Sequence, residues 1–155
     1  MNANEQLIAR FYAAFNTRDL DAMTAAYADH PRFHDPAFGD LEGDDVMAMW
    51  RMLTQRSADL HVDVTGISAD DRSGRAHWTA HYTFGPSGRP VRNEIDATFV
   101  FLDGRIAEHR DHFDFWRWSR QALGPAGLLL GWTPMLRNKV RRQAQRRLRA
   151  FTATH

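Results

Sequence analysis

Residues 75–115, RAHWTAHYTFGPSGRPVRNEIDATFVFLDGRIAEHRDHFDF, carry the clearest structural pattern in the chain. Apolar and polar residues alternate along it, and a period of two is typical of β-strands. Gly85-Pro86-Ser87-Gly88 and Asp103-Gly104 interrupt the alternation with residues that favour tight turns. The pattern therefore predicts an antiparallel meander. Its three strands cover about residues 75–84, 91–101 and 105–115.

Upstream of the meander, apolar residues fall three and four positions apart, which is the period of helices. This spacing predicts helices over residues 4–16, about 19–27 and about 44–56, with Asn4 and Asp19 as N-caps of the first two. Helices followed by an antiparallel meander indicate the α+β class, and long strands twist and curl. We expect a cone-shaped curved antiparallel sheet whose N-terminal helices enclose a pocket.

The C-terminal segment differs in charge from the rest of the chain. Residues 137–155 contain seven basic residues and no acidic one, although the whole chain has 20 basic and 19 acidic residues. Apolar residues recur there at helical spacing, so the segment is predicted to form an amphipathic basic helix. It either packs on the acidic body or makes a weak contact with an anionic membrane through Arg137–Arg149. Nucleic-acid binding is disfavoured because the body would repel phosphate.

Several classes of site are disfavoured by the sequence. The chain has no cysteine, and it contains no glycine-rich phosphate-binding loop. His109 and Asp111 lie on the opposite side of their predicted strand from His112 and Asp114, so this run does not form one metal site. We expect no metal and no cofactor. The first residues lack a secretory signal pattern, so a cytoplasmic location is the expectation.

Three motifs carry a resemblance to a known family: FNTRDLDAM (15–23), YADHPRFHDP (27–36) and DGRIAEHRDHFDFW (103–116). In this order and spacing they resemble the nuclear transport factor 2-like superfamily, particularly its SnoaL-like and ketosteroid isomerase-like members. The resemblance spans about residues 4–116. It implies a domain at residues 1–120. Residues 121–155 lie outside the resemblance, and their own pattern predicts a basic amphipathic C-terminal helical extension.

The resemblance also implies roles for individual residues. Asp35 matches the carboxylate that shuttles a proton in the isomerases, and Asp96 matches the acid that helps to hold the substrate oxyanion. Phe11 stands where the isomerases have an oxyanion-binding tyrosine, and phenylalanine cannot donate a hydrogen bond. Tyr12 is adjacent but about 100° around the helix.

Members similar to limonene epoxide hydrolase use an Asp–Arg–Asp arrangement. Asp111 matches one aspartate and Arg75 is a candidate for the arginine. His77 stands where the second aspartate would be, so the match is partial.

The polar face of the strand 75–84 carries His77 and His81, which are candidates to pair with Asp96 or Asp111 from neighbouring strands. We expect this polar face to line the pocket and the opposite face, with Trp78 and Tyr82, to form a homodimer contact. The candidate catalytic residues are therefore Asp35, Asp96, Asp111, His77 and His81. The candidate ligand-binding residues are Phe11, Tyr12, Trp50, Arg75 and Phe113.

These residues indicate a cofactor-independent acid/base enzyme of isomerase, hydrolase or cyclase type, acting on a small hydrophobic oxygenated ligand. Two alternatives remain. One is a non-catalytic protein that binds a small ligand on the same fold. The other is a peripheral membrane-associated adaptor that acts through the basic tail.

Overall fold

The computed structural model describes residues 1–154, and its elements follow the order that the hydrophobic periods predict. The helices are α1 (Ala3–Thr17), α2 (Leu20–Ala26), α3 (Asp44–Arg56), α4 (Phe115–Leu123), α5 (Pro125–Leu130) and α6 (Pro134–Thr154). The strands are β1 (Tyr27–Asp35), β2 (Gly39–Glu42), β3 (His61–Ala69), β4 (Ser73–Phe84), β5 (Arg89–Leu102) and β6 (Arg105–His112).

The N-terminal helices begin at capping residues. Asp19 caps α2 as predicted, because its side chain accepts a hydrogen bond from the Ala22 amide at 3.1 Å. The predicted cap of α1, Asn4, is wrong. Asn2 and Glu5 form a reciprocal capping box there, and Asn4 is buried and donates to the Asp70 carbonyl at 2.9 Å.

The six strands form one curved, open sheet in the order β2-β1-β6-β5-β4-β3. The α+β class is confirmed. The sheet differs from the prediction in being mixed, because β1 runs parallel to β6 while the other pairs are antiparallel. A parallel pair needs a long connection between its strands, and the segment 36–104 provides one. The Asp103-Gly104 turn has positive φ at both residues, 51° and 78°, as a two-residue hairpin requires.

The apolar face of β4 packs beneath the helices. The Trp78 ring lies 5.5 Å from that of Tyr12 and 6.0 Å from that of Phe15, both on α1. The prediction that this face lies outside at a homodimer contact is therefore wrong. The physical reason is that α1 also has an apolar stripe, and the two apolar surfaces leave water together when they cover each other.

The C-terminal helix packs on the body of the same chain. Phe151 is buried, with the Arg56 guanidinium of α3 5.4 Å from its ring centre. Gln145 donates to the Phe38 carbonyl at 2.8 Å, and Arg141 reaches the Pro36 carbonyl at 3.5 Å. Thus α6 lies against the loop that follows β1. Among residues 1–154, no helix combines the length and the apolar character needed to cross a bilayer.

Two glycines allow α5 to lie directly against α4. A Cβ at Gly127 would stand 1.9 Å from the Ser119 carbonyl oxygen, and one at Gly131 would stand 2.0 Å from the Ser119 hydroxyl oxygen. Neither contact is physically allowed, so a larger residue has to push α5 away from α4.

We predict that Gly127→Ala lowers the free energy of unfolding by about 2–4 kcal/mol, because the added methyl meets backbone atoms that cannot move aside. Urea denaturation measures the change. Gly85→Ala is the matched control, since a Cβ at Gly85 meets nothing within 4 Å. Equal effects of the two substitutions would contradict the close α4–α5 packing.

Candidate active site

A chain of buried polar side chains crosses the face of the sheet that the helices cover. Trp50 Nε1 donates to the Tyr27 hydroxyl at 3.0 Å, and that hydroxyl lies 2.8 Å from His109 Nδ1. His109 Nε2 is 3.0 Å from Asp111 Oδ1, which also accepts from Trp78 Nε1 at 3.2 Å. None of the five residues is more than 5% exposed. We call this chain of side chains the buried network.

The pairing fixes where the protons of the buried network lie. An indole N–H can only donate, so the Tyr27 oxygen accepts from Trp50 and its own proton points to His109 Nδ1. His109 then carries its proton on Nε2 and donates it to Asp111. This assignment uses every donor and gives Asp111 two of them, Trp78 and His109.

Asp35 ends β1, beside this face of the sheet. Its Oδ1 accepts from the Ala37 and Phe38 amides at 2.9 and 2.5 Å. Burial raises the pKa of Asp35 to about 7, with a further upward contribution from the Asp111 charge; the two amides and the Arg141 guanidinium oppose the rise. Asp35 therefore exchanges a proton near neutral pH.

Tyr12 provides a buried hydroxyl that the protein leaves unpaired. The side chain is 1% exposed, and its oxygen has no hydrogen-bond partner within residues 1–154. Burial and the nearby Asp111 charge raise the pKa of Tyr12 well above its ordinary value, so the group stays a neutral O–H. Leaving such a donor unpaired is costly, and an oxygen atom of a ligand would satisfy it.

Tyr82 extends the same region along β4. Its hydroxyl accepts from Trp118 Nε1 at 2.8 Å. Burial raises the pKa of Tyr82 to about 12, and the Asp35 charge contributes to the rise. Asp35 thus lies within electrostatic range of both Asp111 and Tyr82.

Three predicted catalytic residues lie on the other side of the sheet. The ring of His77 bridges Asp96 and Glu94, at 2.9 Å from each, and these hydrogen bonds raise the pKa of His77. His81 lies 3.5 Å from Asp63. The expected pairing of His77 with Asp96 is present. The prediction that this pair lies on the inner face is wrong, because alternation along β4 and β5 turns both residues away from Trp78 and Asp111.

The Asp–Arg–Asp arrangement is not assembled either. Arg75 is exposed and shares the outer face with His77, whereas Asp111 is buried on the inner face. The expectation that Arg75, His77, His81 and Asp96 lie on the inner face with Asp111 is wrong for one reason: the polar face of β4 points outward.

The other predicted ligand-binding residues, Phe11, Tyr12, Trp50 and Phe113, are all buried. The ring of Phe11 contacts those of Tyr27, Trp50 and His109 edge-on, with centres 5.4–5.8 Å apart. Phe11 thus forms part of the apolar packing around the buried network.

Sequence reasoning missed the roles of Tyr27 and His109. Tyr27 fits the helical spacing of α2, which concealed that β1 begins there. The signal that was present is the spacing of His109 and Asp111, which lie two positions apart and so share one face of β6. Within residues 1–154, no three histidine, aspartate or glutamate side chains converge in a metal-binding arrangement.

We predict that Tyr27→Phe lowers the free energy of unfolding by about 2–4 kcal/mol, because it leaves Trp50 Nε1 and His109 Nδ1 buried without partners. Tyr12→Phe is the matched control: it removes an equally buried hydroxyl that has no partner to lose. The free energy of unfolding of Tyr12→Phe should equal or exceed that of the wild type. Chemical denaturation compares the two, and a larger loss for Tyr12→Phe would refute the buried network.

A second prediction concerns pH. The folded chain holds a proton on Asp35 up to about pH 7, whereas the unfolded chain releases it near pH 3.8. The stabilising contribution of the protonated form is therefore complete below pH 3.8 and is lost as pH rises to about 7. We expect the free energy of unfolding of the wild type to fall, relative to that of Asp35→Asn, by on the order of 2–4 kcal/mol over this range. If urea titrations give parallel profiles of unfolding free energy against pH for the two proteins, the pKa of Asp35 is not raised in the folded chain.

The fold resembles solved structures over most of its length. A proposed SnoaL-like polyketide cyclase from Jannaschia sp. CCS1 has a TM-score of 0.70 at 18% identity, and the match covers 79% of this chain and 93% of that chain. An epoxide hydrolase from M. tuberculosis, similar to limonene epoxide hydrolase, has a TM-score of 0.67 at 24% identity, and the match covers 83% of this chain and 96% of the hydrolase. IdmH, a proposed polyketide cyclase from Streptomyces antibioticus, has a TM-score of 0.65 at 22% identity, and the match covers 76% of this chain and 96% of IdmH.

Identities this low show the fold alone. No curated protein sequence matches the chain significantly. The SnoaL-like domain, in contrast, matches residues 8–109, from the first buried turn of α1 to the central histidine of the buried network. On this match the chain belongs to the SnoaL-like domain family, within the nuclear transport factor 2-like superfamily.

Proposed function

We propose that the protein is a cofactor-independent acid/base enzyme that acts on a small hydrophobic ligand containing a carbonyl, hydroxyl or epoxide oxygen. The observation that carries this proposal is the position of Asp35 at the end of β1, where two backbone amides hold its carboxyl group beside the inner face of the sheet and burial raises its pKa to about 7. A general acid or base works best when its pKa lies near the working pH. An ordinary surface aspartate would be fully ionised and a weak base.

Asp35 and the Tyr12 hydroxyl, which both lie within electrostatic range of Asp111, suit a proton-transfer step. Asp35 in its ionised form takes a proton from a carbon next to a ligand carbonyl, and the electron pair of the broken C–H bond moves onto the carbonyl oxygen. The Tyr12 O–H is available to donate to that oxygen, where negative charge develops. Protonated Asp35 then returns the proton to carbon, or to a leaving oxygen. The same two groups serve isomerisation or cyclisation. For an epoxide, ionised Asp35 would take a proton from water while the water oxygen bonds to carbon, the epoxide C–O bond breaks, and the Tyr12 O–H donates to the released oxygen.

The surroundings favour a hydrophobic ligand. Aromatic rings surround the buried network, among them Phe15, Phe33 and Phe99. Such walls exclude water and strengthen the electrostatic effect of Asp111 on Asp35. The similar structures described above as proposed polyketide cyclases and an epoxide hydrolase are consistent with this class of ligand.

A non-catalytic ligand-binding protein is the second candidate, and two observations favour it. Phe11 has no hydrogen-bond donor, and Asp111 is already paired with His109 and Trp78. In that reading the buried network only holds the fold together, and the unpaired Tyr12 hydroxyl orients a bound ligand.

Replacement of Asp35 by Asn distinguishes these candidates. Asparagine keeps the oxygen that accepts from the Ala37 and Phe38 amides but cannot exchange the proton. With a panel of hydrophobic ketones, enones and epoxides, we expect Asp35→Asn to lower kcat at least about 100-fold and to change ligand affinity by only a few-fold. The wild-type rate should rise with an apparent pKa of about 7.

Asp96→Asn is the matched control, since Asp96 lies on the outer face beside His77. It should keep wild-type turnover, and Tyr12→Phe should lower kcat without reducing stability. Wild-type turnover in Asp35→Asn would remove Asp35 from the mechanism. Saturable binding of panel members without turnover by the wild type would favour the non-catalytic candidate.

A further inference from the structure

The C-terminal quarter of the chain is uniformly cationic. Beyond Asp114 the sequence contains no acidic residue. Its basic residues are Arg117, Arg120, Arg137, Lys139, Arg141, Arg142, Arg146, Arg147 and Arg149. A domain that only needs solubility mixes both signs of charge over its surface, so a one-signed region indicates an anionic partner.

The same region carries a cluster of exposed apolar side chains. Of the eight large apolar side chains that are exposed among residues 1–154, five lie within the segment 128–135. They are Leu128, Leu129, Leu130, Trp132 and Met135, with exposed fractions of 42–70%. Single exposed apolar residues are ordinary, but a contiguous group marks an interaction site. We call this group the α5 tip.

The α5 tip is held in place by the rest of the protein. Trp116 Nε1 donates to the Leu128 carbonyl at 3.1 Å, and Gly127 brings α5 against Ser119 of α4. At the end of α5, Thr133 Oγ1 donates to the Leu130 carbonyl at 2.6 Å. The apolar side chains are therefore presented outward by a packed helix.

Basic residues border the α5 tip on two sides. On one side, α6 continues directly with the exposed Arg137, Lys139 and Arg142. On the other side, Arg120 stacks on Trp116, 4.1 Å from its ring centre. A cleft of about 400 Å³ lies there, lined by Arg89, Pro90, Arg92, Arg117, Arg120 and Gln121.

We propose that the α5 tip, with its basic border, docks onto the surface of an anionic lipid bilayer. Leucine, methionine and tryptophan partition into the boundary between headgroups and acyl chains, and arginine and lysine pair with the lipid phosphates. A second copy of the chain fits less well, because pairing two α5 tips would bring two cationic borders together. Nucleic acid offers phosphate but no apolar layer for the exposed leucines.

Vesicle binding tests the proposal. Large vesicles of phosphatidylcholine, with or without 30% phosphatidylglycerol, are mixed with the full chain and sedimented. We expect binding to the anionic vesicles only, and loss of most binding at 0.5 M salt, because the phosphate contacts are screened. Equal binding to both kinds of vesicle, or to neither, overturns the proposal.

Substitutions locate the contact. We expect Leu129→Gln with Met135→Gln to weaken binding at least about 10-fold, because two apolar anchors are lost. Leu102→Gln with Val100→Gln is the matched control, since both residues are exposed on β5, far along the chain from α5. Its binding should equal that of the wild type; an equal effect of the two pairs overturns the assignment to the α5 tip.

The basic border is tested separately. The double substitution Lys139→Gln with Arg142→Gln should weaken vesicle binding roughly 25-fold, about 5-fold for each charge. The matched control, Arg10→Gln with Arg72→Gln, removes two exposed charges elsewhere on the protein and should change vesicle binding little. Sedimentation velocity without lipid tests whether a second copy of the chain, and not a bilayer, binds the α5 tip. A wild-type dimer that Leu129→Gln with Met135→Gln converts to monomer would identify the α5 tip as an interface between copies and overturn the proposal.

Discussion

A buried carboxylate has to be paired, and this requirement organises the inner face of the protein around Asp111. Taking an isolated ionised carboxylate out of water is expensive unless donors surround it. Asp111 receives one donor from Trp78 on β4 and one from His109 on its own strand. His109 in turn depends on Tyr27 of β1, and Tyr27 on Trp50 of α3. One charge thus ties together three strands and a helix.

The same charge sets the chemistry of its neighbour. Asp35 is partly withdrawn from water at the end of β1, and the fixed negative charge of Asp111 adds to the cost of ionising it. Two carboxyl groups on one surface therefore differ in role. Asp111 accepts hydrogen bonds from Trp78 and His109, whereas burial raises the pKa of Asp35 to about 7, where it can exchange its proton.

The sequence was sufficient for the N-terminal helices, the meander and the C-terminal helix, but it did not predict α4 and α5 or the orientation of the sheet. Periodicity located α3 at its observed bounds and identified the Asp103-Gly104 hairpin, because these depend on local spacing and turn chemistry. Alternation along β4 also sorted His77 and Trp78 correctly onto opposite faces. It did not say which face the helices cover, since that depends on packing between residues far apart in the chain. The apolar stripe of α1 was the available clue, and the apolar face of β4 is its natural partner.

The site was predictable to the same degree. Asp35 and Asp111 were found through motifs, and both lie on the inner side of the molecule. The contact between Tyr27 and His109 forms only when β1 lies beside β6, and it joins two residues that are 82 positions apart in the chain. No local pattern encodes such a contact.

The position of α6 against the loop after β1 makes the C-terminal helix sensitive to protons. Arg141 favours the ionised form of Asp35. Linkage is reciprocal, so ionisation of Asp35 must in turn strengthen the attachment of Arg141 to that loop. The contact between α6 and this loop is therefore stronger above pH 7 than below it, even though protonated Asp35 contributes its stability to the fold at the lower pH.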